Sequence, residues 1–110
     1  VRKVIYISGP MAIGDKADTI RMAWQASETL RDAGFSTIVP QDNFFCSIMA
    51  RRRSHDEWLE IDEPLVLRSD ALLRLPGKSD GADKEVRWAF ANHIPVFHTV
   101  GEVIAYFNNP

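Results

Sequence analysis

Four times along the chain, a short run rich in β-branched and aliphatic residues gives way to a stretch with helical spacing. The runs are Val4–Ser8, Phe35–Val39, Ala71–Leu75 and Val96–Thr99, and glycine or proline stands close to each. Strand–helix alternation of this kind calls for a parallel sheet with helices on both faces, because parallel neighbours need a long crossover between them. The expectation is therefore an α/β fold, a three-layer sandwich around a four- or five-stranded parallel sheet. Val4–Ser8 is apolar on both faces and belongs at the centre of that sheet. In such sheets ligands bind beyond the carboxyl ends of the strands, where strand order reverses. That rule selects the loops after Ser8, Val39, Leu75 and Thr99.

The helical stretches carry their own boundary signals. Asp18 is a candidate cap for a helix running to about Ala33, with Ile20, Ala23, Trp24, Ser27 and Leu30 as its inner stripe and Gly34 just past its end. Ser54 and Glu57 stand in capping-box spacing, which predicts a helix from about His55 with Trp58, Ile61 and Leu65 facing inward. Pro64 lacks an N–H and predicts a kink or restart. Further helices are expected over Ala82–Asn92 and, after the Thr99/Glu102 box, through about Phe107. Segment 40–53 has no period and is read as an extended loop. Trp24, Trp58 and Trp88 fall on helices and read as core.

Composition excludes several classes. The chain has 110 residues, enough for one core, so residues 1–110 are expected to form a single domain. A formal charge of −2 argues against the broad basic footprint of a nucleic-acid polymer binder. No apolar run approaches the roughly 18–20 residues of a membrane span. The lone Cys46 and the lack of a signal-peptide pattern predict a cytoplasmic protein. His55, His93, His98 and Cys46 show no zinc-ligand spacing, so no metal is expected.

Chemistry-bearing residues gather in the selected loops. Tyr6 lies inside the first strand on the same face as Val4 and Ser8, and its hydroxyl needs a partner, either a carboxylate or a backbone carbonyl. The loop Pro76-Gly-Lys-Ser-Asp-Gly-Ala-Asp-Lys-Glu85 is polar, punctuated by glycine, and runs into a helix. Glu85, about one turn into that helix, is placed to point back over the strand ends. Asp62 lies beside the apolar stripe of its own helix. Together the two would be a carboxylate pair, the equipment for breaking a glycosidic bond. Arg51-Arg52-Arg53 is either a solvated face or an anion site.

These pieces together resemble the nucleoside 2-deoxyribosyltransferase-like superfamily, and within it the small DUF4406-type branch. The resemblance runs through Tyr6-Ile-Ser-Gly-Pro-Met11, Pro40-Gln-Asp-Asn43, Trp58-x-x-x-Asp62 with Asp70 eight residues on, Leu75-Pro-Gly77, Ser79-x-Gly-Ala82 and Glu85. It implies a flavodoxin-like sandwich that cleaves the N-glycosidic bond of a nucleoside or its 5′-monophosphate, by hydrolysis or by transfer to another base, without a cofactor. It implies Glu85 as nucleophile, Tyr6 as its orienting partner and Asp62 beside the departing base. Ser8, Gly9, Met11, Asp42, Ser79 and Gly81 would contact the substrate, with Ser79 at the position that meets a phosphate in the related 2′-deoxynucleoside 5′-monophosphate hydrolases. Self-association as a homodimer or larger oligomer is expected on separate grounds, because 110 residues leave an open cleft and the Trp- and Phe-rich helices offer apolar surface beyond what so small a core can cover. Pro10 and Ala12 stand where those hydrolases carry further phosphate-binding serine and arginine residues, Phe44 stands where the transferases carry a base-reading glutamine, and Asp83 and Lys84 stand where small residues are usual. A non-catalytic nucleotide-binding module on the same fold is the alternative.

Overall fold

A computed structural model describes residues 1–11 and 15–108 of the chain. The elements are β1 Val4–Ser8, α1 Lys16–Asp32, β2 Ser36–Ile38, α2 Asn43–Met49, α3 His55–Leu67, β3 Ala71–Arg74, α4 Asp80–Ala91, β4 Val96–Phe97 and α5 Val100–Asn108, with a 3₁₀ turn over Pro40–Asp42. The sheet has four strands in the order β2-β1-β3-β4. All pairings are parallel, with Ile5 opposite Thr37 on one side and Ala71 on the other. β1 is thus an inner strand, as its apolarity requires.

Period-two alternation in β1 divides the molecule. Ile5 and Ile7 face a core built with Ala23 and Leu30 of α1 and Val103 of α5. Tyr6 faces the other way, into a smaller core with Val66 of α3, Leu72 and Ala89 of α4. The result is a helix–sheet–helix sandwich of the flavodoxin-like kind. The order of strands reverses between β1 and β3, so the cleft of interest lies beyond the ends of those two strands. At the opposite edge Asp70 clamps β1, its carboxylate accepting from the Val4 N–H at 2.7 Å. Asp70 is therefore far from that cleft and serves the sheet.

Several local expectations are corrected. α1 starts earlier than Asp18, because Asp15 takes the extended cap conformation and its side chain accepts from the Ala17 N–H at 2.9 Å. Asp18 sits in the first turn instead, where it pairs with Arg21. The inner stripe of α1 is Ile20, Ala23, Ala26, Ser27 and Leu30, and Trp24 is 47% exposed. Residues 40–53 are not one extended loop, since α2 occupies Asn43–Met49. No residue of α2 is buried, so no apolar period marks it.

In α3 the buried face is Leu59, Asp62 and Val66, while Ile61 and Leu65 are exposed. Two apolar stripes of similar strength run along this helix, and spacing alone does not choose between them. α3 runs as one helix with Pro64 inside it, so the chain does not restart there. The bond Pro64 forgoes is the one to the Glu60 carbonyl, and both residues are on the exposed side, where water can satisfy that group. The expected loop over 11–17 lies partly outside the described residues, Ala12 among them.

Candidate active site

Glu85 is the hub of the site, carried by α4 and bonded by two side chains of β1. Ser79 caps α4, its Oγ accepting from the Ala82 N–H at 3.1 Å, which starts the helix at the mouth of the cleft. One turn further on, Glu85 comes back over the end of β1 and is only 6% exposed. The Tyr6 hydroxyl donates to Glu85 Oε2. Ser8 Oγ donates to Glu85 Oε1 at 2.8 Å. Both donors come from the same face of β1, two residues apart, so alternation within a strand delivers one hydroxyl to each oxygen. Of the two partners open to Tyr6, it takes the carboxylate.

Burial and hydrogen bonding act on this carboxylate in opposite directions. Loss of water pushes its pKa up, the Tyr6 and Ser8 hydrogen bonds pull it down, Asp62 pushes it up, and Arg74 pulls it down, leaving it raised to about 7. Asp62 is 7% exposed and is raised to about 6, again chiefly by burial, while the Asn43 amide, 3.4 Å from Oδ1, favours its charged form. The Tyr6 phenol is pushed far upward by burial and by the two carboxylates, so it remains a donor at any working pH. The pair therefore exchanges protons near neutrality, where a proton-transfer group is most effective.

Both carboxylates line one cleft of about 780 Å³, together with Gly9, Met11, Ser79 and Gly81. Most of the residues expected at the site thus converge. Three do not line it, and the first, Tyr6, is fully buried against Glu85. Ser8 has no exposed surface and meets Glu85 rather than the cleft. Asp42 is turned outward, its carboxylate accepting from Trp24 Nε1 at 2.7 Å. Successive residues in a helical turn point about 100° apart, so Asp42 facing out leaves Gln41 and Asn43 facing in. Trp58, expected in the core, also lines the cleft.

Gln41 was legible only as part of a motif, yet it joins the strand ends. Its Nε2 donates to the Ile7 carbonyl at 3.3 Å, and the residue is 1% exposed. Gly9 packs closely beside it: a Cβ there would stand 3.1 Å from Leu75 Cβ and 3.4 Å from Gln41 Nε2, so those neighbours would have to give way by a few tenths of an ångström. Among the described residues no group of three or more His, Cys, Asp or Glu side chains is placed to hold a metal ion. Among them, too, no helix is long and apolar enough to cross a membrane.

No protein-family model matches the chain, nor does any curated protein sequence. Solved structures do share its architecture. A conserved protein from Enterococcus faecalis V583 superposes with a TM-score of 0.71 at 24% identity, over 87% of this chain and 62% of its own. A 2-deoxyribosyltransferase from Bacillus psychrosaccharolyticus superposes with a TM-score of 0.65 at 20% identity, over 84% of this chain and 69% of its own. This chain has the fold of these proteins. It spans about three fifths of the length of the first.

Proposed function

We propose that the cleft breaks the N-glycosidic bond of a nucleoside, deoxynucleoside or 5′-monophosphate, with Glu85 as nucleophile. One observation carries the reading: a buried carboxylate at the cleft floor is held by a hydroxyl donor on each oxygen, with a second carboxyl group in the same cleft. The likeness in fold to a 2-deoxyribosyltransferase supports it.

In this scheme one Glu85 oxygen attacks the anomeric carbon as the bond to the base breaks, giving a glycosyl ester. Such covalent catalysis divides one hard displacement into two easier ones. The bonding pair leaves with the base, and Asp62 in its protonated form supplies the proton that neutralises it. Water, or the nitrogen of a second base, then displaces Glu85 and regenerates the carboxylate. Tyr6 and Ser8 hold the attacking group in place and stabilise its charge. Self-association remains part of the proposal, and sedimentation at micromolar concentration tests it.

The test is incubation with a panel of ribo- and deoxynucleosides and their 5′-monophosphates, with and without a free base, followed by chromatography. Release or exchange of a base is expected. A 2-fluoro-arabinosyl nucleoside should leave a sugar adduct on Glu85, located by peptide mass spectrometry. An adduct on another residue, or full activity in Glu85→Ala, overturns the mechanism.

A further inference from the structure

The cleft floor is acidic, but its rim is not. Lys16, Arg52 and Arg53 line it, in a chain whose formal charge is −2. Arg52 and Arg53 come from the connection between α2 and α3, and Lys16 comes from the start of α1. Arg53 is pinned: it pairs with Glu57 at 3.2 Å and lies over the Trp58 ring at 5.8 Å from its centroid. Arg52 makes no ion pair among the described residues. Lys16 Nζ rests 5.2 Å from the Phe44 ring centroid.

Two helix starts stand at the same place. Ser54 caps α3 and Ser79 caps α4, and the two first turns touch, since a Cβ on Gly81 would lie 3.2 Å from His55 Cε1. Helix N-termini carry partial positive charge, and α3 and α4 have 13 and 12 residues. Three cationic side chains and the starts of α3 and α4, whose first turns also carry Asp56, Glu57, Asp80 and Asp83, thus meet at a cleft whose own lining carboxylates, among the described residues, are Asp62 and Glu85.

We propose that Arg52, Arg53 and Lys16 form a phosphate subsite, so that this cleft takes a nucleoside 5′-monophosphate in preference to the free nucleoside. This rests on the reading of Glu85 as acting on a nucleotide sugar. The guanidinium groups provide forked donors that match phosphate oxygens, and Lys16 adds a point charge. The Arg53–Glu57 pair and the Trp58 face hold one fork in position before the ligand arrives, which reduces the ordering cost of binding.

The experiment measures binding rather than turnover. Wild-type protein is titrated calorimetrically with 2-deoxyribose 5-phosphate and with 2-deoxyribose, neither of which has a base to lose. The phosphorylated sugar is expected to bind at least about 10-fold more tightly, as charge-assisted hydrogen bonds imply. Arg52→Gln and Arg53→Gln should each reduce that preference several-fold, and added salt should weaken it. Both side chains are exposed, so the variants keep the fold, which circular dichroism checks. Equal affinity for the two sugars, no measurable binding of the phosphorylated one at millimolar concentration, or a preference untouched by both variants overturns the subsite. The mechanism is judged separately by base release from the nucleotide panel, so binding selectivity without product sinks the glycosidase reading and leaves the subsite standing.

Discussion

Replacing Glu85 by glutamine should make the protein more stable, and increasingly so as pH rises. The carboxyl group is 6% exposed, and its pKa is raised from 4.5 to about 7. A group whose folded value lies above its unfolded value binds its proton more tightly in the folded state. Its contribution is present below about 4.5 and is lost as pH rises through about 7. The interval between those values corresponds to about 3 kcal/mol. Glutamine has nearly the same shape. It still accepts from Tyr6, and its amide can donate to Ser8 Oγ, whose proton then turns to the Ala82 carbonyl at 3.5 Å. Near pH 5 the variant and the wild type should differ little. At pH 8 the variant should melt higher by on the order of 10 °C, given roughly 4–8 °C per kcal/mol for a domain of this size. Thermal unfolding followed by circular dichroism at pH 5, 6, 7 and 8 measures the difference, in which all other titrations largely cancel. A gap independent of pH, or one that shrinks as pH rises, refutes the reasoning.

The remaining predictions concern rate and backbone. Tyr6→Phe removes the donor on Oε2 and should lower kcat by roughly 10²-fold while moving the alkaline limb of the pH–rate profile upward, because Glu85 is the higher-titrating member of the pair and a hydrogen bond that favoured its charged form is gone. Ser8→Ala should move that limb the same way, and a profile unchanged in both variants counts against the two-donor cradle. The wild-type profile should be a bell peaking between pH 6 and 7, where the carboxylate pair holds one proton. Asp62→Asn should abolish the alkaline limb, since no second carboxyl group remains to lose its proton, and retention of both limbs would contradict Asp62 as the acid. Gly77→Ala should cost at least about 1–3 kcal/mol in urea unfolding, because φ is +115° and the added Cβ would meet Pro10 Cγ at 2.8 Å.

What the sequence disclosed follows from where its periods are strong. β1 could be located because five residues in a row avoid charge, and α5 because Thr99 and Glu102 announce it; the Glu102 side chain does accept from the Thr99 N–H at 2.9 Å. A buried phenol demands a partner and the loop rule names the strand ends, but these left Tyr6 open between a carboxylate and a backbone carbonyl; only the family resemblance paired it with Glu85. Residues 43–49 were not, because a helix with no buried face leaves no stripe to read. The exchange of Asp42 for Asn43 at the cleft has the same origin: without knowing that a helix turns there, the side on which each residue falls is undetermined. Asp62 looked like a residue at the edge of a stripe. It is the middle of the buried face, and only the packing of α3 against α4 decides that.

The position of the site explains why so short a strand matters so much. β1 supplies the floor of one core with Ile5 and Ile7 and the cradle of the carboxylate with Tyr6 and Ser8. A slip of one residue in its register would turn the hydroxyls into the α1–α5 core and the isoleucines onto Glu85, so register and site stand or fall together. The register is held from both ends. Asp70 fixes the Val4 N–H at the start, and the Leu75 N–H donates to the Ser8 carbonyl at 2.8 Å at the finish. The aliphatic residues of β1 stabilise the chain, while its two hydroxyls sustain a buried carboxylate that destabilises it above neutral pH. A small core tolerates such a group only if each of its oxygens has a partner, and the Tyr6–Ser8 pair provides one for each. That economy also constrains change: any variant that relieves the buried charge by removing Glu85 removes the group the cleft is built around, so in this chain the more stable protein should be the less active one.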